Sequence, residues 1–152
     1  MKVQFYDALE MSIPEGYAAL KPEQKKAVYG ATPMDYAYGD MEKNVAVGVI
    51  RTGTPLANGM VENQIAAYQQ YYSRMVPGFT MGQLRKTTLG SHTLCVMSYK
   101  SNAPTRDMFN IVALTSLEEK EVVFLCSCDM NDALTNMPLF SAMLRSLVFL
   151  GE

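Results

Sequence analysis

The sequence predicts an α+β domain, built on a mostly antiparallel, meandering sheet of about six to eight strands with one long helix and a C-terminal helix packed on it. Three observations carry that class. Residues 79–128 hold four successive runs of strand-forming residues joined by short polar turns, the pattern of an antiparallel meander. Val61, Ile65, Tyr68, Tyr72 and Met75 recur at intervals of three and four, one stripe of a long helix over residues 60–76. Leu139, Phe140, Met143 and Leu144 turn an apolar face inward on a shorter helix near residues 136–146.

Two short strands come first, at residues 3–6 and 9–13. Leu9, Met11 and Ile13 alternate with Glu10 and Ser12 until Pro14 and Gly16 stop the run. Pro22 suits a first helical position and Gly30 a stop, so a short helix is expected at 22–29. Strands follow at 34–38 and 44–51. In the second, Val45, Val47 and Val49 share one face while Ala46, Gly48 and Ile50 share the other, so both sides should be covered. Asn58 or Gly59 caps the long helix, Pro77-Gly78 ends it, and Asn63, Gln64, Gln69, Gln70 and Arg74 form its wet face. The meander strands fall at 80–88, 91–100, 106–114 and 121–128, with the nearly all-apolar last run at the centre. Asn136 is expected to cap the final helix, with Pro138 in its first turn, where a missing N–H costs nothing. Residues 147–150 close the chain as a short edge strand. No repeat or linker divides the chain, and residues 1–152 read as a single domain.

A chain of 152 residues buries enough surface to need no metal or disulfide staple. Charged residues make up 18% and apolar ones 49%, which excludes disorder. The net charge of −2 argues against a nucleic-acid partner, whose binders carry a basic excess. The N-terminus mixes Asp7 and Glu10 into its apolar residues, so it holds no signal-peptide core, and no run approaches the ~18 apolar residues of a membrane span. Cys95, Cys126 and Cys128 are odd in number, which favours reduced thiols and a cytoplasmic location.

The reactive residues form no catalytic set. His92 is the lone imidazole, and Ser91 beside it points to the other side of a strand. Cys126 and Cys128 share a strand face, with Cys95 expected on that face too, but the spacing is wrong for zinc and the three read as buried fillers. Asp129-Met130-Asn131-Asp132 lacks the glycine and glutamate of a calcium loop and reads as a helix-entry turn. Gly48, Gly53 and Gly59 lack the Lys-Ser or Lys-Thr of a phosphate loop. Glu118, Glu119, Lys120 and Glu121 read as a solvated hairpin tip, too wet for acid–base work. The twelve methionines are scattered, which favours core filling over a Met-rich groove. The aromatic residues offer more. Tyr36 and Tyr38 share one strand face, and Tyr71 with Arg74 lies at the edge of the long helix's stripe; these four are the candidate partner-binding residues.

Three segments carry a resemblance. Ile13 to Tyr17 (IPEGY), Leu89 to Ser101 (LGSHTLCVMSYKS) and Phe140 to Phe149 (FSAMLRSLVF) resemble, in order, the first-strand turn, the post-helix strand and the terminal helix-to-strand segment of the PsbP/Mog-like superfamily, including its bacterial DcrB and Eag-chaperone relatives. The resemblance covers nearly the whole chain and implies an α/β/α sandwich that binds without catalysis. Members of that group include a photosystem subunit, a nuclear-import factor that binds a small GTPase, and adaptors that shield apolar helices of secreted effectors. The expectation is therefore a non-catalytic cytoplasmic binding or adaptor domain that takes a protein segment on an apolar sheet face or groove. No cofactor and no metal is expected. The alternative is a small-molecule binder or enzyme with a pocket between the long helix and the sheet, and homodimerisation through an open sheet face or edge suits either reading.

Overall fold

The chain opens with a hairpin, β1 (Lys2–Phe5) and β2 (Leu9–Ser12), and its last strand, β10 (Val148–Phe149), returns to pair with β2. These three make a small antiparallel sheet in the order β1-β2-β10. The larger sheet holds β3 (Ala18–Ala19), β4 (Tyr36–Asp40), β5 (Val45–Pro55), β6 (Thr80–Leu89), β7 (His92–Asn102), β8 (Asp107–Leu117) and β9 (Lys120–Asp129). Its order is β3-β4-β5-β9-β8-β7-β6, antiparallel throughout. The computed structural model describes residues 1–151. The expected meander is present as β6 to β9, and β9 lies in the middle of the larger sheet. That position explains why its run is apolar on both faces.

Two layers cover the larger sheet. On one face Val45, Val47, Val49, Ile111, Phe124, Cys126 and Cys128 pack against the small sheet and α3 (Ala133–Arg145), which contribute Phe5, Leu9, Met11, Phe140, Met143 and Leu144. On the other face Cys95, Met97, Val112, Leu114 and Val123 meet Val61 and Ile65 of α2 (Val61–Met75). The short helix α1 (Pro22–Tyr29) covers β4 and β5 on the same side as α2, through Val28, Tyr29 and the neighbouring Met34. Gly48 allows this approach, since a Cβ there would stand 2.7 Å from the Tyr29 ring.

Several expectations are corrected. Cys95 lies on the opposite face from Cys126 and Cys128, because the register pairs it with Leu114 and, through Leu114, with Val123. Strand β4 starts at Tyr36, not residue 34, because the Asp35 carboxylate is held by the Tyr6 hydroxyl (2.6 Å) and the Arg51 amide (3.0 Å) while Met34 turns into the core. Asn58 does not cap α2. Its side chain donates to the Ser91 carbonyl and accepts from the Thr93 amide, tying the helix start to the β6–β7 hairpin.

The last helix begins at Ala133, three residues earlier than expected, after a 3₁₀ turn at Met130–Asp132. Asn136 is thus buried inside the helix, donating to the Asp132 carbonyl, and Pro138 sits in the interior instead of the first turn. Leu139 falls on a half-exposed flank, while Phe140, Met143 and Leu144 keep the inward face. On α2, Met75 is 61% exposed, because Pro77-Gly78 turns the chain away and Phe79 stacks on Tyr99 in its place. Met1, Met60, Met130 and Met137 are exposed as well, so the methionines do not all fill the core.

Candidate functional site

Helix α2 is fastened to the sheet by a buried carboxylate. Its inward residues Val61 and Ile65 are apolar, but below Gln64 and Tyr68 the sheet presents Glu121, only 1% exposed. The expected solvated tip is therefore restricted to Glu118, Glu119 and Lys120, the first two in left-handed backbone at the β8–β9 turn. Glu121 comes two residues later, where strand alternation turns it under α2. The Thr52 hydroxyl (2.7 Å) and the Tyr68 hydroxyl (2.9 Å) donate to its Oε1, and the Gln64 amide donates to Oε2 (2.7 Å). Burial, reinforced by the Glu121 charge, pushes both the Tyr68 and Tyr72 phenols above their usual range. Three neutral donors satisfy the carboxylate, which makes it a fastening and not a free acid.

The bond from Gln64 to β9 fixes which flank of α2 faces the middle of the sheet. Tyr71 and Met75 follow Gln64 at intervals of seven and four, so they stand on that same flank. Tyr71 is 55% exposed. Beneath this flank lies apolar floor. Ile50 of β5 and Leu125 of β9 are half-buried and pack against both the α2 cluster and the α1 cluster. The Tyr29 hydroxyl of α1 donates to the Leu125 carbonyl (3.2 Å) and marks the other wall. A groove thus runs between α1 and α2. On β9 its floor continues from Leu125 to Ser127, into a cleft of about 340 Å³ lined by Val28, Met41, Ala46, Arg106, Met108 and Asn110 among others. Asp129 holds Arg106 at the rim by an ion pair at Nε (2.5 Å).

The candidate residues from the sequence divide between the two faces. Tyr71 and Arg74 are exposed on α2, with Tyr71 at the groove and Arg74 toward solvent. Tyr36 and Tyr38 lie on the opposite face, half-buried against Phe5 of the small sheet. The Tyr36 hydroxyl accepts the Tyr6 amide (3.0 Å), so it joins the two sheets. The four do not form one surface. Sequence reasoning missed the groove floor, Ile50 and Leu125, and the Glu121 fastening. The signal for Glu121 was its place two residues inside an apolar strand.

The remaining reactive groups are quiet. Burial pushes Cys126 well above the usual thiol range and Cys128 up to about 11, and it raises Cys95 too. Such thiols are protonated near neutral pH and poor nucleophiles. His92 stacks on Phe149 at 3.5 Å, between the larger sheet and β10. No helix is long and apolar enough to cross a membrane among the described residues.

No protein-family model matches the chain, and no curated protein matches it. Solved structures do. The chain is similar to cyanobacterial PsbP (CyanoP) from Synechocystis sp. PCC 6803, at 15% identity and a TM-score of 0.67, over 98% of this chain and 91% of that one. It is similar to PA94, a protein of unknown function from Pseudomonas aeruginosa, at 12% identity and a TM-score of 0.58, over 97% and 95%. It is also similar to LpqN of Mycobacterium tuberculosis, involved in cell envelope biogenesis, at 9% identity and a TM-score of 0.58, over 92% and 82%. At these identities the likeness establishes the fold, which is PsbP-like, and leaves the activity to be argued from the site.

Proposed function

We propose that this PsbP-like fold serves as a non-catalytic binding or adaptor domain, taking an apolar segment of a protein partner in the groove between α1 and α2. One observation carries the reading: Ile50 and Leu125, both half-buried, pack against the core clusters that hold α2 and α1 and keep apolar surface between the two helices. Tyr71 and Met75 are exposed on the flank of α2 that faces β9, and such side chains give large, adaptable contact area. Arg74, three residues after Tyr71, supplies a polar rim. Protonated thiols and a carboxylate satisfied by neutral donors suit a domain without chemistry of its own. Three buried, unbridged thiols suit a reducing, cytoplasmic setting. A second reading, a small-molecule binder, rests on the cleft of about 340 Å³, which is within the roughly 300–1,000 Å³ of ligand pockets.

Affinity capture from native cytosol, with a photo-crosslinking residue at position 71, tests the groove. The expected result is one protein crosslinked at 71 and lost about tenfold or more on Leu125→Asp, the range for a central contact. Recovery of a small ligand and no crosslinked protein would overturn the protein-segment reading in favour of the second.

A further inference from the structure

We propose that α3 carries a second docking surface, on the opposite side of the larger sheet from the groove, which takes an amphipathic helix with acidic flanks from a protein partner. Leu134, Met137, Ser141 and Arg145 follow one another at intervals of three, four and four, one stripe along α3. It is not the stripe that packs into the core, which is Ala133, Asn136, Phe140, Met143 and Leu144. Leu134 is 87% exposed, and Met130 and Met137 are exposed at either side of it. A single exposed leucine is ordinary, whereas Leu134 and Met137 on one flank of α3, with Met130 exposed in the turn that leads into it, make a contiguous apolar row that marks a contact surface.

The stripe borders a narrow groove. Met137 and Ser141 form one wall, Gln83 and Arg85 of the edge strand β6 form the other, and Val96 and Ile111 line its base. Its volume of about 70 Å³ is far below the roughly 300 Å³ where small-molecule pockets begin, so it seats a side chain projecting from a larger partner. Charge selects the partner. Arg85 is exposed on the far wall of the groove and Arg145 at the C-terminal end of the stripe, and neither has an ion-pair partner among the described residues. A second copy set on this surface about a two-fold axis would bring like charges together. A helix with a leucine row and glutamate flanks would bury its row on Leu134 and Met137 and pair both arginines.

Two labelled model peptides test this: helices with the same leucine row, one flanked by glutamates and one by lysines. Fluorescence anisotropy with the full chain should show the glutamate peptide binding about tenfold or more tighter than the lysine peptide. Leu134→Asp should weaken the glutamate peptide by a similar factor, and Met137→Lys is a second variant with the same expectation. Both positions are exposed, and an unchanged circular dichroism spectrum checks that the variants fold. Arg85→Glu with Arg145→Glu should reverse the order of the peptides. Equal affinity for the two peptides, no saturable binding, or binding unmoved by both apolar variants would each overturn the proposal. So would a dimer in light scattering that Leu134→Asp dissociates, because the occupant would then be a second copy.

Discussion

Glu121 shows how much of the α2 interface depends on one side chain. Replacing it by alanine leaves the half-buried Gln64 amide and Tyr68 hydroxyl without their acceptor, while the exposed Thr52 hydroxyl can turn to water. Glu121→Ala should cost about 3 kcal/mol, read as a lower urea midpoint at unchanged slope. Tyrosines make a second prediction at this scale. Tyr6, Tyr17, Tyr29, Tyr68, Tyr72 and Tyr99 are all raised above the usual phenol range, with burial the largest cause in each. The folded state therefore holds these protons more tightly than the unfolded chain. Their contribution to stability is complete below about pH 10 and is lost as pH rises above it. In an alkaline titration, their phenolate absorbance should appear together with loss of the circular dichroism signal; appearance while the fold persists would contradict the assignment.

At the scale of elements, two glycines differ in what opposes them. In the β4–β5 hairpin, a Cβ on Gly39 would collide with the Val45 carbonyl oxygen, which is backbone and cannot swing aside. A Cβ on Gly48 would meet the ends of the Tyr29 and Met34 side chains, which can move at the expense of the bond from Tyr29 to Leu125. Gly39→Ala should thus cost about 2–3 kcal/mol and Gly48→Ala about 1 kcal/mol, with faster amide exchange across residues 22–29 in the second. A reversed ranking in urea melts would refute this account. The helices also show where a local reading stops. The apolar period of α2 was legible from Val61, Ile65, Tyr68 and Tyr72. Its relation to Glu121 was not, because that contact joins residues 57 positions apart. Pro138 is a sound signal for a helix start, yet burial of Ala133 and Asn136 against the sheet extends α3 past it. The proline then has no N–H to give the Leu134 carbonyl, in the same turn that exposes the Leu134 side chain.

For the whole molecule, the class of fold was readable because the meander is local: each strand from β6 to β9 pairs with the next across a short turn. The insertion of β9 beside β5 was not, since nothing near Val45 or Ser127 in the chain encodes that pairing. The site divided for the same reason. Tyr36 and Tyr71 look alike as exposed aromatics, but only the sheet order sends one beneath β1 and leaves the other at a rim. The small sheet has an outcome in the order of synthesis. Phe149 pairs with Leu9, and Leu150 donates to the Ala8 carbonyl, so β2 waits for its second neighbour until the meander and α3 have been made. While the ribosome is still adding the meander, Phe5, Leu9 and Met11 emerge without the β10 and α3 that later cover them. A nascent chain of this protein presents the apolar β1–β2 ribbon to any holding chaperone at the exit tunnel, and that ribbon is covered only after β10 has emerged.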